Sequence, residues 1–343
     1  MLTLEQKRTG NLKQHVGLLD GLAGMAVTYY LQAKWQRNDT WQKQGLSILD
    51  EISERIGSVQ NFQFQDGLAG IGWAVEWLVQ HDLLDNTNTD EVLSEVDDIL
   101  YRSIVYSRDI NFSLLTGTCG KIAYLNKRIA SKNPDPNRLR QICHNECVVI
   151  LTDDLQEKLV QENGFEQLPV TELSNILVQM VMIPPINRIT IEAILYEAAK
   201  HSLLLLSKIA NAGASGRKAI TVNDYHNFLY LGVCLLIAAQ LHEHKYWELQ
   251  ARSCIKQLLQ MGEKYERCGK EQLFKRLSIY SLLNIYDPAL QLAADISKII
   301  DTLSAKPLPA CLYNGTGTVM LANMCLQSPQ LISDWHELFF IKG

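Results

Sequence analysis

Asp20-Gly21-Leu22-Ala23-Gly24 and Asp66-Gly67-Leu68-Ala69-Gly70 are the same five residues, and each leads into an apolar run. With residue frequencies near 6 %, such a coincidence is roughly a one-in-twenty event in a chain of this length. The pair points to a repeated structural unit, and a repeat fixes an architecture before any single residue is interpreted. Behind the first copy, Leu22, Ala26 and Tyr30 share one helical face, with Ala23, Val27 and Leu31 beside them. Behind the second come Ile71, Val75, Leu78 and Val79. Steps of three and four are those of a buried helix stripe. Between the copies, Leu46, Leu49, Ile52 and Ile56 form another stripe, with Gly57 as its helix stop. Residues 61–65 read as a short extended connector.

A third copy is Thr116-Gly117-Thr118-Cys119-Gly120, which keeps both glycines. A fourth is Asn314-Gly315-Thr316-Gly317-Thr318, where Thr318 takes the place of the second glycine. Gly21, Gly67 and Gly117 stand 46 and 50 residues apart, and three degenerate units fill the interval to Gly315. Their inner helices are expected at 173–182, stopped by Pro184-Pro185, at 225–241, and at 277–286, stopped before Pro288. Outer partners are expected at 91–107, 137–160, 189–209, 247–265 and 289–303, with residues 331–343 in place of a seventh. Helix pairs recurring at this period stack as an open solenoid or close into a ring. A solenoid needs polar caps, whereas here the first and last units keep motif glycines. The expected fold is therefore all-α, an α/α toroid of about seven helical hairpins, forming one domain over residues 1–343.

Length alone, at 343 residues, suggests two domains, but repeat architectures run longer as one body. The formal net charge is -5, and Lys and Arg are scattered, which argues against nucleic acid as a partner. Apolar stretches reach near ten residues, as at 230–239, short of the about twenty a membrane span needs. Residues 1–14 are polar and lack a secretory core, so the expected location is cytoplasmic. The eight cysteines include no Cys-x-x-Cys pair. In a long chain without a secretory signal they read as free thiols rather than a disulfide framework.

Paired small residues at a helix start let two helix ends approach closely, or let backbone reach a ligand. Asp20 and Asp66 read as helix N-caps. In the competing reading they are paired carboxylates facing a cavity, and glycoside hydrolysis would need them about 5–10 Å apart. Trp73 and Trp77 would then stack on sugar; otherwise they are core aromatics. Cys143, His144 and Cys147 share a helix face as a partial metal set without a signalled fourth ligand. His226 and Cys234 are weak metal candidates on one inner helix, against a core reading. His242 and His244 suit a helix C-terminus. Cys119 and Cys311 sit beside motif glycines.

The segments 17–24, 66–72, 115–120 and 313–317 together resemble the lanthionine synthetase C-like proteins. That resemblance implies seven inner helices around a central cavity, bordered by Asp20, Gly21, Gly24, Asp66, Gly67, Gly70, Gly117, Gly120 and Gly315. It implies work on ribosomally made peptides: a peptide cysteine adds to a dehydrated residue, forming a thioether. Active members hold zinc through two cysteines and a histidine, and zinc acidifies the substrate thiol. This chain has no Cys-His-Gly and no Cys-Tyr-Gly, and Tyr313-Asn314-Gly315 stands where a Cys-His-Gly would fall. The expectation is a divergent member with no metal ligands assigned and no cofactor, binding a peptide substrate or partner protein. The alternatives are an active cyclase with rearranged ligands, and a carbohydrate-active ring using Asp20 and Asp66.

Overall fold

The computed structural model describes residues 15–84, 87–108, 111–162, 164–214, 220–262, 268–327 and 337–339. These residues contain helices and no strand. The helices are α1 (Leu22–Gln36), α2 (Asp39–Arg55), α3 (Leu68–Gln80), α4 (Thr89–Val92), α5 (Ser94–Tyr106), α6 (Thr118–Ile129) and α7 (Arg138–Leu155). There follow α8 (Val170–Met182), α9 (Arg188–Ala214), α10 (Val222–Leu241), α11 (Lys245–Met261), α12 (Lys270–Tyr286), α13 (Ala293–Ser304) and α14 (Thr316–Gln327).

The packing order closes on itself. α1 packs on α3, α3 on α6, α6 on α8, α8 on α10, α10 on α12, α12 on α14, and α14 on α1. Each of α2, α5, α7, α9, α11 and α13 packs on the inner helix before it in sequence. The fold is thus an all-α toroid with seven inner helices. α10 shows why: its residues from Leu229 to Ala239 are buried on every side, as befits a helix enclosed by neighbours. Outer helices expose one face, as α11 does around buried Trp247, Ala251, Ile255 and Leu258.

Two kinds of helix start occur, and they do not follow the inner–outer division throughout, since inner α10 is capped by the Thr221 hydroxyl, which accepts from the Asp224 amide. Outer α2 and α7 begin with side-chain caps: Asn38 Oδ1 accepts from the Thr40 amide, and Asn137 Oδ1 accepts from Leu139 and Arg140. Inner α1, α3 and α6 begin at Gly21, Gly67 and Gly117 with no side-chain cap. Asp20 and Asp66 are therefore not the N-caps their position suggested. Instead the chain folds back to supply backbone acceptors. The amides of Leu22, Leu68, Thr118 and Thr316 donate to the carbonyls of His15, Asn61, Asn111 and Pro309, each seven residues earlier.

The glycines are needed by that fold-back rather than by backbone strain, since Gly21, Gly67 and Gly117 all have extended φ. A Cβ on Gly117 would lie 2.1 Å from the Asn111 carbonyl oxygen, and one on Gly315 would lie 2.4 Å from that of Pro309. At the second glycine a Cβ would lie 2.0 Å from Leu18 O in the first unit, 1.9 Å from Phe64 O in the second and 2.3 Å from Leu114 O in the third. In the last unit Thr318 stands at this position, and its hydroxyl donates to Leu312 O over 3.0 Å. Neighbouring loops are also stitched together. The Leu18 and Leu19 amides donate to Gln65 O, and the Phe64 and Gln65 amides donate to Leu115 O.

Several expected boundaries move. Residues 91–107 break at Leu93 into α4 and α5, and 137–160 ends as α7 plus a π-helical turn, Gln156–Gln161. α12 begins seven residues before the expected 277, and 289–303 starts with a 3₁₀ turn, Pro288–Leu290. Residues 61–65 end in a turn rather than staying extended. On α2, Leu46 is half exposed; Gly45 faces inward because the Tyr30 ring lies where its side chain would be. Residues 337–339 lie against α6 and the loop before α14, not on the outside as a seventh outer element; 331–336 and 340–343 are outside the described residues.

Replacing Gly70 by Ala forces a Cβ into the Phe64 carbonyl, so the expected loss is at least about 1–3 kcal/mol, the usual scale of overpacking. Gly57→Ala meets nothing within 4 Å and is expected to leave the thermal midpoint unchanged. Equal midpoints for the two variants would contradict the fold-back geometry.

Candidate functional site in the ring hollow

Between α3, α6 and α8 lies a pocket of about 120 Å³. Its wall takes Phe64 and Leu114 from the motif loops, Trp73 from α3, Asn126 and Lys127 from α6, and Glu337 from the C-terminal segment. Both side-chain amide atoms of Asn126 are buried without a hydrogen-bond partner. A buried amide left unpaired costs about 1–3 kcal/mol, so the site holds an unused donor and acceptor. Lys127 Nζ lies 5.9 Å from the Trp73 ring centroid and pairs with Glu337 Oε1 at 2.5 Å.

Residues 337–339 bridge two units of the ring. Glu337 pairs with Lys127 on α6, while Leu338 O accepts from Tyr313 OH, 3.0 Å away in the loop before α14. α6 belongs to the third unit and Tyr313 to the seventh, and units three and seven are not neighbours in the packing order. Leu338 and Phe339 are buried. Burial, followed by the Glu337 charge, holds the Tyr313 hydroxyl well above its ordinary value.

The motif residues themselves have mixed placements. Gly21, Gly24, Gly67, Gly70, Gly117, Gly120 and Gly315 are buried at helix starts. Asp20 is exposed, and Asp66 is half-buried with Oδ1 lacking a partner. Trp73 and Trp77 are buried and stacked on each other at 6.4 Å, and Trp77 stacks on His81 at 4.2 Å. Trp77, fully buried, offers no sugar-binding platform, whereas Trp73 borders the pocket with only 3 % exposure.

A buried ionic cluster was not legible in the sequence. Arg128 on α6 is fully buried and pairs with Glu76 of α3, Asp90 of α4 and Asp97 of α5. Tyr124 OH donates to Asp97 Oδ1, and His144 Nε2 of α7 stands 3.2 Å from the same oxygen. Burial alone would raise the Asp97 pKa, but the neighbouring His144 imidazole and the hydrogen-bonded Arg128 guanidinium outweigh it and bring it down to about 2. The one available signal was Tyr124 and Arg128 at helical spacing on a face otherwise apolar. Behind this cluster, a second pocket of about 400 Å³ is lined by Asp97, Tyr101, Arg140, Cys143, His144 and Cys147.

The described residues do not bring a zinc ligand set together. Among the described residues, no three His, Cys, Asp or Glu side chains stand where they could hold a metal ion. His226 and Cys234 are buried on α10 but face different partners. Arg276 Nε lies 3.2 Å from His226 Nε2, whereas Cys234 engages Tyr230. Burial, with Arg276 and Lys275 nearby, lowers the His226 pKa to about 4. Burial raises the thiol pKa values of Cys119, Cys234 and Cys325, and that of Cys147 to about 12. Cys311 Sγ donates to Tyr313 O at 2.8 Å. His242 closes α10 as expected, but His244 caps the next helix: its Nδ1 accepts from the Trp247 amide.

A closed ring of seven inner helices, three of them opened by the paired glycines, defines an α/α toroid. Residues 3–142, ending inside α7, are similar to the family model for lanthionine synthetase C-like protein. No curated protein matches the chain.

Two outcomes follow from the buried charges. Arg128→Met strands three carboxylates and is expected to cost about 3–5 kcal/mol in urea unfolding, the scale for breaking a buried pair; a loss below about 1 kcal/mol would contradict the clamp. His226 has a folded pKa below its unfolded 6.5. Unfolded chain therefore takes up the proton first, and stability should fall as pH drops from about 6.5 to about 4. His226→Gln should reduce that slope, and an unchanged slope would assign the pH dependence elsewhere.

Proposed function

We propose that residues 1–343 form one lanthionine synthetase C-like toroid domain that serves ribosomal peptide modification by binding a peptide in its hollow, without the usual zinc site. The observation that carries this reading is the hollow itself. It offers an unpaired Asn126 amide, a cation at Lys127 and an apolar wall at Trp73 and Phe64. A side-chain amide presents one donor and one acceptor, the pair that an extended backbone needs. The peptide belongs to a substrate or to a partner protein, and the cellular location is cytoplasmic. No helix among the described residues is long and apolar enough to cross a membrane. The motif loops around Asp20, Asp66, Gly117 and Gly315 border the hollow and fix the inner helix starts.

Zinc analysis and a thiol assay test this directly. Purified untagged protein is expected to hold well under one equivalent of zinc. A dehydrated, cysteine-containing peptide should be retained while its thiol stays open to alkylation. Asn126→Ala should weaken retention about tenfold, the scale of one buried hydrogen bond to a ligand. One equivalent of zinc together with loss of the alkylatable thiol would overturn the reading in favour of a cyclase.

A further inference from the structure

We propose that the chain's own C-terminal segment is the resident occupant of the hollow, and that the hollow selects peptides carrying an acidic residue followed by two bulky apolar ones. This rests on the peptide-binding reading above. Glu337 lines the pocket, and Leu338 and Phe339 beside it are buried in the apolar core. The carboxylate meets Lys127, and the Leu338 backbone carbonyl accepts from Tyr313 OH. The two apolar side chains are buried to 0 % and 2 % exposure. Each contact is of a type that reads a ligand: charge pairing, backbone hydrogen bonding and apolar burial.

The ion pair is sheltered, with Lys127 and Glu337 side chains 12 % and 11 % exposed, so it is screened less than a surface pair. The site is also only partly used. The Asn126 amide remains unpaired beside Glu337 in the same pocket, so an incoming peptide that engages it gains a contact the tail leaves unmade. Tethering gives the segment an effective concentration on the order of millimolar. A free peptide of similar affinity at micromolar concentration is therefore held out until a better ligand displaces the tail. The device makes the ring selective for peptides that satisfy Lys127, Tyr313 and Asn126 together.

The test uses full-length protein and a fluorescently labelled synthetic peptide of residues 333–343, with circular dichroism as the check on folding. Wild type is expected to bind this peptide weakly. Glu337→Lys sets two cations together, and Leu338→Asp buries a charge; both should release the tail and tighten binding of the free peptide at least tenfold. The charge swap Lys127→Glu with Glu337→Lys should reseat the tail and return binding to the wild-type level. Hydrogen exchange at the Leu338 amide gives an independent reading, expected slow in wild type and fast in both single variants. Equal peptide binding by wild type and both variants would overturn resident occupancy while leaving peptide binding in place. A Leu338 amide that stays slow in both variants would overturn the role given to these contacts. Failure of every chain to bind, with the tail amide exchanging freely, would overturn the proposed selectivity and the peptide-binding function with it.

Discussion

The backbone carbonyl six residues before each motif glycine occupies the space that a Cβ would take. This recurs in four units, with the carbonyls of His15, Asn61, Asn111 and Pro309 as the acceptors of the fold-back. A helix start normally leaves its first amides to water or to a capping side chain. Here the preceding chain wraps so tightly that its own carbonyls meet the first helical amide, and no side chain fits between. Two glycines three residues apart are the sequence consequence. In the last unit Thr318 carries a Cβ at the second position and its hydroxyl donates to Leu312 O, so the wrap there leaves room for a side chain.

The wrapped starts place the loops side by side, where Gln65 O and Leu115 O each take two amides from the loop before. Inner helices therefore converge with a fixed spacing, and the seventh reaches the first. A hollow is the geometric result. Residues 337–339 join the loop of the seventh unit at Tyr313 to the third unit at Lys127. Elsewhere the ring is locked by the Arg128 cluster, which joins α3, α4, α5 and α6 through three carboxylates. Removing water from such a cluster costs energy that its pairing offsets, so its role is read as fixing how the second and third units meet.

The helices, their count and the ring were legible because glycine spacing and apolar periodicity are local signals. Even the middle units, which lost their glycines, were found from stripes such as those of α8 and α10. The site was much less legible. Asp20 and Asp66 look like caps because aspartate before a helix usually is one, yet the backbone carbonyl had already taken that position. Asn61 and Asn111 were the better signal. Each sits six residues before its glycine, and its side chain accepts from the amide two residues on, at 3.1 and 2.9 Å. Lys127, Asn126 and Glu337 carried no sequence signal, because they meet only when the ring closes and the tail returns.

Amide hydrogen exchange at Leu22, Leu68, Thr118 and Thr316 tests the wrapped helix start most directly. First-turn amides ordinarily exchange fast for lack of an internal partner. If the carbonyls of His15, Asn61, Asn111 and Pro309 hold them, all four should exchange as slowly as mid-helix amides of α10. Exchange at the rate of an unfolded chain at these four positions would contradict the account.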